Sequence, residues 1–179
     1  LTPLNTSNVT DMHYMFTNMS SLTLLNLSHM NTSKVTNMDG MFKFVKNLST
    51  LDLSKFDTRN VTNMFDMFFF MQNLTSLDLS SFDTSKVINM SDMFNSMYAV
   101  ENIKFSKKFN TSQVENMQGM FANLMNIQEI DLSQADFDTS NVRNFFGMFM
   151  YGLTSPSKLQ RIYVSASKDF NTSKAAPTN

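Results

Sequence analysis

Leu74-Thr-Ser-Leu-Asp-Leu-Ser-Ser-Phe-Asp-Thr-Ser-Lys-Val-Ile-Asn-Met-Ser-Asp-Met-Phe94 is the stretch whose reading decides the fold. Its first half alternates: Leu77 and Leu79 point to one face of an extended strand, with Asp78 on the other. In its second half, Val87, Met90, Met93, Phe94 and Met97 fall at near-helical spacing. The composition there, rich in Val, Thr, Asn and Ser, is mediocre for a helix. A brief extended piece over Val87 to Met90, then one helical or 3-10 turn around Met93-Phe94, is the expectation.

The same phrase recurs along the chain. Its threonines stand at Thr6, Thr32, Thr58, Thr84, Thr111 and Thr139, with a degenerate copy at Thr172, at spacings of 26, 26, 26, 27, 28 and 33 residues. Met-Phe follows each of the six full copies, from Met15-Phe16 to Met148-Phe149. Each copy goes on to a Leu-x-x-Leu-x-Leu phrase such as Leu48, Leu51, Leu53, which drifts to Val100, Ile103, Phe105 and to Leu159, Ile162, Val164. A further apolar anchor closes each unit: Met30, Phe56, Phe82, Phe109, Phe137 and Phe170. Repeats of this length cannot bury an apolar face alone, and stacking lets them share one core.

The expected fold is therefore a repeat solenoid filling residues 1–179. About six coils of about 26 residues begin near Asn5, Asn31, Asp57, Asp83, Asn110 and Asp138, with a degenerate seventh from Asn171. One parallel sheet of Leu-x-Leu strands is expected on one side, with short extended and helical or 3-10 turns on the other. Leu1 and Leu4 fit the strand register, so the chain enters mid-repeat and reads as part of a longer protein. Tyr151 to Pro156 interrupts the sixth copy and reads as a bulging loop.

The run from Leu74 to Phe94 resembles the BspA-like family of bacterial surface leucine-rich repeats, in the branch first grouped with mycoplasma lipoproteins. The resemblance covers nearly the whole chain. It implies a right-handed leucine-rich solenoid, a cell-surface or secreted setting, adhesive roles and no enzymatic activity. One position departs from the family: where it commonly has Cys three residues after Met-Phe, this chain has Met19, Val45, Met71, Met97 and Leu124, all apolar.

Composition narrows the function classes. A formal net charge of -1 with 16% charged residues carries no footprint for nucleic acid, and no apolar run has the length of a membrane span. With no cysteine, disulfides and thiolate metal sites are impossible. His13 and His29 sit at different repeat positions, without a catalytic Ser or Cys motif, and no Gly-rich phosphate loop or zinc pattern occurs. No cofactor and no enzymatic activity are expected.

Candidate sites lie where the repeat varies. The residue between the strand leucines runs Asn26, Asp52, Asp78, Lys104, Asp131, Tyr163, and the last five form the candidate binding face. Repeat proteins use such extended surfaces, concave ones in particular. Asp52 and Asp78 are adjacent carboxylates, for which calcium is the alternative reading. Lys104 between Asp78 and Asp131 relieves like-charge crowding across strands. Phe44, Phe65, Phe69 and Phe70 form a candidate interface patch, joined by Met150-Tyr151. The Asn37, Asn63, Asn89, Asn116, Asn144 ladder is read as structural. Asn5, Asn31, Asp57, Asp83, Asn110 and Asp138 are read as turn formers. Sequons such as Asn8, Asn18, Asn47, Asn60, Asn73 and Asn89 follow from the Asn-Ser-Thr repetition. The functional expectation is an extracellular or cell-surface binding and adhesion module for a protein or glycan. The alternative is a building block of a filament or surface layer, self-assembling through open solenoid ends.

Overall fold

Each Thr-Ser-x-Val-x-Asn-Met phrase lies beside the next, one repeat further along the chain. In the computed structural model, which describes residues 4–152, 157–165 and 170–175, single parallel bridges join Asp11 to Asn37, Asn37 to Asn63, Asn63 to Asn89, Asn89 to Asn116 and Asn116 to Asn144. Backbone bonds extend this contact through Met-Phe. In the third repeat, the N–H groups of Met64, Asp66, Phe68 and Phe70 donate to the carbonyls of Asn89, Ser91, Met93 and Asn95. The same set recurs from repeat to repeat, so neighbours share one register along this side.

The repeated threonines fasten that register. Thr58 Oγ1 donates to the Asp83 carbonyl at 2.8 Å and accepts the Asp83 N–H at 2.9 Å. Thr32 does the same to Asp57, Thr84 to Asn110, Thr111 to Asp138 and Thr139 to Asn171. These hydroxyls are buried, so each bond spares a backbone group that water cannot reach.

Behind the ladder lies one continuous apolar core. Val61, Met64, Met67, Phe68, Met71, Leu74, Leu77, Leu79 and Phe82 of the best-formed repeat are all buried. Phe42, Phe68 and Phe94 stack face to face, with ring centroids 5.8 and 6.0 Å apart. Each fully buried Phe or Met contributes roughly 1.5–3 kcal/mol.

The leucine side is less regular than the alternation suggests. Among the described residues four strands form: β1 (Ser76–Asp78), β2 (Asn102–Lys104), β3 (Glu129–Asp131) and β4 (Arg161–Tyr163). They pair in parallel as β1 with β2, matching Asp78 to Lys104, and β3 with β4, matching Asp131 to Tyr163. Among the described residues the expected single sheet is thus two separate pairs. At the paired junctions the Leu79 N–H bonds the Lys104 carbonyl and the Leu132 N–H bonds the Tyr163 carbonyl. The equivalent bonds from Leu53 and Phe105 are missing.

The expected helical or 3-10 turn around Met93-Phe94 is not formed: the segment is a run of hydrogen-bonded turns. Asp92 (φ 54°) before Met93 and Ser96 (φ 62°) after Phe94 take the left-handed conformation, which breaks helical continuity. The same two positions are left-handed at Tyr14 and Asn18, Gly40 and Phe44, Asp66 and Phe70, and Gly119 and Asn123. At Gly40 a Cβ would collide with the Tyr14 ring of the preceding repeat unless that partly exposed ring shifted.

Leu1, and Leu153 to Pro156 of the expected loop, lie outside the described residues. No helix among the described residues is long and apolar enough to cross a membrane.

Candidate functional site

The five stripe residues project from the leucine side. Asp52, Asp78, Lys104 and Asp131 are exposed, and Tyr163 is 43% exposed. The carboxylates also have a local task. Asp52 Oδ1 accepts the N–H of Ser54 at 2.9 Å, Asp78 Oδ1 that of Ser80 at 2.8 Å, and Asp131 Oδ1 that of Ser133 at 2.9 Å. Each closes the turn that follows it, and Asn26 does so for Ser28. One oxygen per Asp remains for other partners.

Lys104 takes a side. Its Nζ donates to Asp78 Oδ2 at 3.0 Å, across the β1–β2 pair. The Ser80 hydroxyl, the Ser80 N–H and then Lys104 hold the Asp78 carboxyl down at about 2. The N–H of Ser54 lowers Asp52 in the same way. Among the described residues Asp131, on the far side of Lys104, has no ion pair. Among the described residues no group of three or more His, Asp or Glu side chains is placed to hold a metal ion.

Between β2 and β3, where the backbone ladder is open, lies a recess of about 560 Å³. Glu101 and Asn102 line one side, Gln128, Glu129 and Asp131 the other, with Lys158 at the rim. Glu129 is engaged by Arg161, whose Nε donates to it at 2.8 Å, and Lys158 donates to Asn126 Oδ1 at 2.8 Å. Sequence reasoning placed Asp131 here but missed Glu101, Gln128 and Glu129. The available signal was that the x positions of Leu-x-x-Leu turn from Ser and Thr to Glu, Asn and Gln in the fourth and fifth repeats.

The aromatic patch is assembled but only half exposed. Phe44, Phe65, Phe69 and Phe70 are half-buried, with Phe44 edge-on to both Phe69 and Phe70 and Phe70 edge-on to Tyr98. Lys43 Nζ lies 5.0 Å from the Phe69 ring centre and Lys46 Nζ 5.4 Å from that of Phe70. Lys43 also pairs with the buried Asp66, whose carboxyl burial pushes upward while the lysine pulls it back. Met150, three repeats away, is exposed. Of the histidines, His13 bonds Asp11 through Nδ1 at 2.8 Å and His29 is exposed.

Residues 1–106 and 69–176 both match the family described as "Mycoplasma protein of unknown function, DUF285". The chain belongs to this family. The two matches overlap over residues 69–106, more than one full repeat, as expected of a pattern that can be laid on the chain in more than one register. No curated protein and no solved structure matches this DUF285 chain. Its stripe, recess and aromatic patch therefore stand on their own geometry.

Proposed function

We propose that this DUF285 chain is a non-catalytic binding and adhesion module of the BspA-like kind, displayed outside the cell on a right-handed leucine-rich solenoid. The observation that carries the reading is the separation of constant from variable positions. Those that repeat (Thr58 and Thr84, Met67 and Met93, Phe68 and Phe94) are buried between stacked repeats. Those that change (Asp52, Asp78, Lys104, Asp131 and Tyr163) are exposed in a single file. Packing accounts for the first set. Recognition of a surface protein or glycan is the role this reading gives the second. The stripe carboxylates each hold a turn with one oxygen, and Asp78 gives its other to Lys104, which suits contact better than proton transfer.

Adherence to animal-cell monolayers of beads coated with the chain tests this. Lys104→Glu and Tyr163→Ala are each expected to reduce adherence by about tenfold, equivalent to about 1.4 kcal/mol, with melting and sedimentation unchanged. Wild-type beads that adhere no better than bare ones would overturn the reading, and so would variants that adhere fully.

A further inference from the structure

We propose that Lys43 and Asp66 condense into an amide, a covalent cross-link between the second and third repeats. The proposal is independent of the surface-binding reading and concerns a modification of the chain itself.

The surroundings set this pair apart. Lys43 Nζ contacts Asp66 Oδ2 directly, and the two side chains are 24% and 4% exposed. The rings of Phe44, Phe65 and Phe69 stand around the ammonium, with centres 5.6, 5.9 and 5.0 Å from Nζ. Backbone bonds flank the contact: the N–H of Phe42 donates to the Met67 carbonyl and that of Phe44 to the Phe69 carbonyl, both at 2.9 Å. Among the described residues the other lysine–carboxylate pair, Lys104 with Asp78, is 62% and 59% exposed. Water supports both ions there. Around Asp66 it is excluded, and an apolar site favours the uncharged forms. Burial accordingly raises the Asp66 carboxyl, against the pull of Lys43.

The chemistry needs no oxidant or reductant. Proton transfer within the pair converts ammonium and carboxylate into amine and carboxylic acid. The amine nitrogen then attacks Asp66 Cγ. The Nζ–Cγ bond forms, one Cγ–O bond breaks, and the departing hydroxyl takes a proton from the nitrogen and leaves as water. Contact held by the fold makes the step effectively unimolecular. Asp39 is the group that relays the proton. Its Oδ1 is buried without a hydrogen-bond partner, and burial raises its carboxyl while Tyr14 and Lys43 pull it back. In a chain without cysteine, the amide fastens two repeats as a disulfide would elsewhere.

Intact-mass spectrometry of the folded full chain, with peptide sequencing after trypsin, tests this. The wild-type mass is expected to fall short of the sequence mass by one water. Trypsin should no longer cut after Lys43, and one branched peptide should join Lys43 to Asp66, with Lys104 and Asp78 unlinked. Lys43→Arg keeps a cation over the rings but brings no nucleophilic amine. It should fold, by circular dichroism, and show its full sequence mass, as should Asp66→Ala. Asp39→Asn should lower the linked fraction about tenfold, and Asp39→Glu should restore it. A folded wild-type chain at its full sequence mass would overturn the proposal. So would a water loss that survives Lys43→Arg, or one confined to a single unbranched peptide, the mark of an aspartate closing on its own backbone. Linking undiminished by Asp39→Asn would overturn the role given to Asp39.

Discussion

Single hydroxyls hold neighbouring repeats in register. Thr58 Oγ1 bonds both backbone groups of Asp83 from a buried position, and no water can replace it. Thr58→Val keeps the shape and strands two polar groups, so it should cost about 2–4 kcal/mol, while Thr58→Ser should cost less than about 1.5. Urea denaturation of both variants checks the difference, and equal losses would mean the methyl group matters more than the hydroxyl. Asp78 supplies a pH prediction. Its carboxyl lies at about 2 in the folded chain against an ordinary 3.8. Its contribution is therefore present above pH 3.8 and lost as the pH falls toward 2. The stability gap between wild type and Asp78→Asn should narrow over that window. Because the side chain is exposed, the gap itself stays below about 1 kcal/mol. A gap that widens on acidification would contradict the bonding to Ser80 and Lys104.

At the scale of the repeat, aromatic residues one turn apart do different work. Phe68 is fully buried between Phe42 and Phe94, so Phe68→Ala should cost about 3–5 kcal/mol. Phe70 is half-buried against Phe44, Phe69 and Tyr98, so Phe70→Ala should cost about 1–2 kcal/mol. Thermal or chemical unfolding separates the two, and equal costs would put Phe70 in the core. The period exposed the buried columns to view: Leu77 and Leu79, Met90 and Met93, Phe68 and Phe94 are where alternation and spacing place them. The Asn/Asp-Thr turns were legible too, since Asn31 Oδ1 accepts the Ser33 N–H and Asp83 Oδ1 that of Ser85. Three things were hidden. Leu-x-Leu alternation tells which face is buried but not whether neighbouring backbones approach to bonding distance, as they do at Leu79 and not at Leu53. The bonds of the threonines carry no local signal because their partners lie one repeat away. The left-handed positions carry Tyr, Gly, Asp, Phe, Ser and Asn, a mixture without a sequence signature.

At the scale of the molecule, the two sides of the stack differ. The Asn-Met-Phe side is bonded through every junction from Asp11 to Asn144, whereas the leucine side is bonded at β1–β2 and β3–β4 and open between. The variable stripe and the acidic recess lie on the more open side. Residue-resolved amide hydrogen exchange in the native state tests this asymmetry most directly. Leu53, Leu79, Phe105 and Leu132 are all buried at equivalent repeat positions, yet only the N–H groups of Leu79 and Leu132 are bonded to the next repeat. Those two amides, with Met64, Phe68 and Met90 on the other side, should exchange at least about tenfold more slowly than Leu53 and Phe105. Equal protection at all four equivalent positions would mean an unbroken leucine-side sheet. Rapid exchange at Met64 and Met90 would contradict the continuous ladder itself.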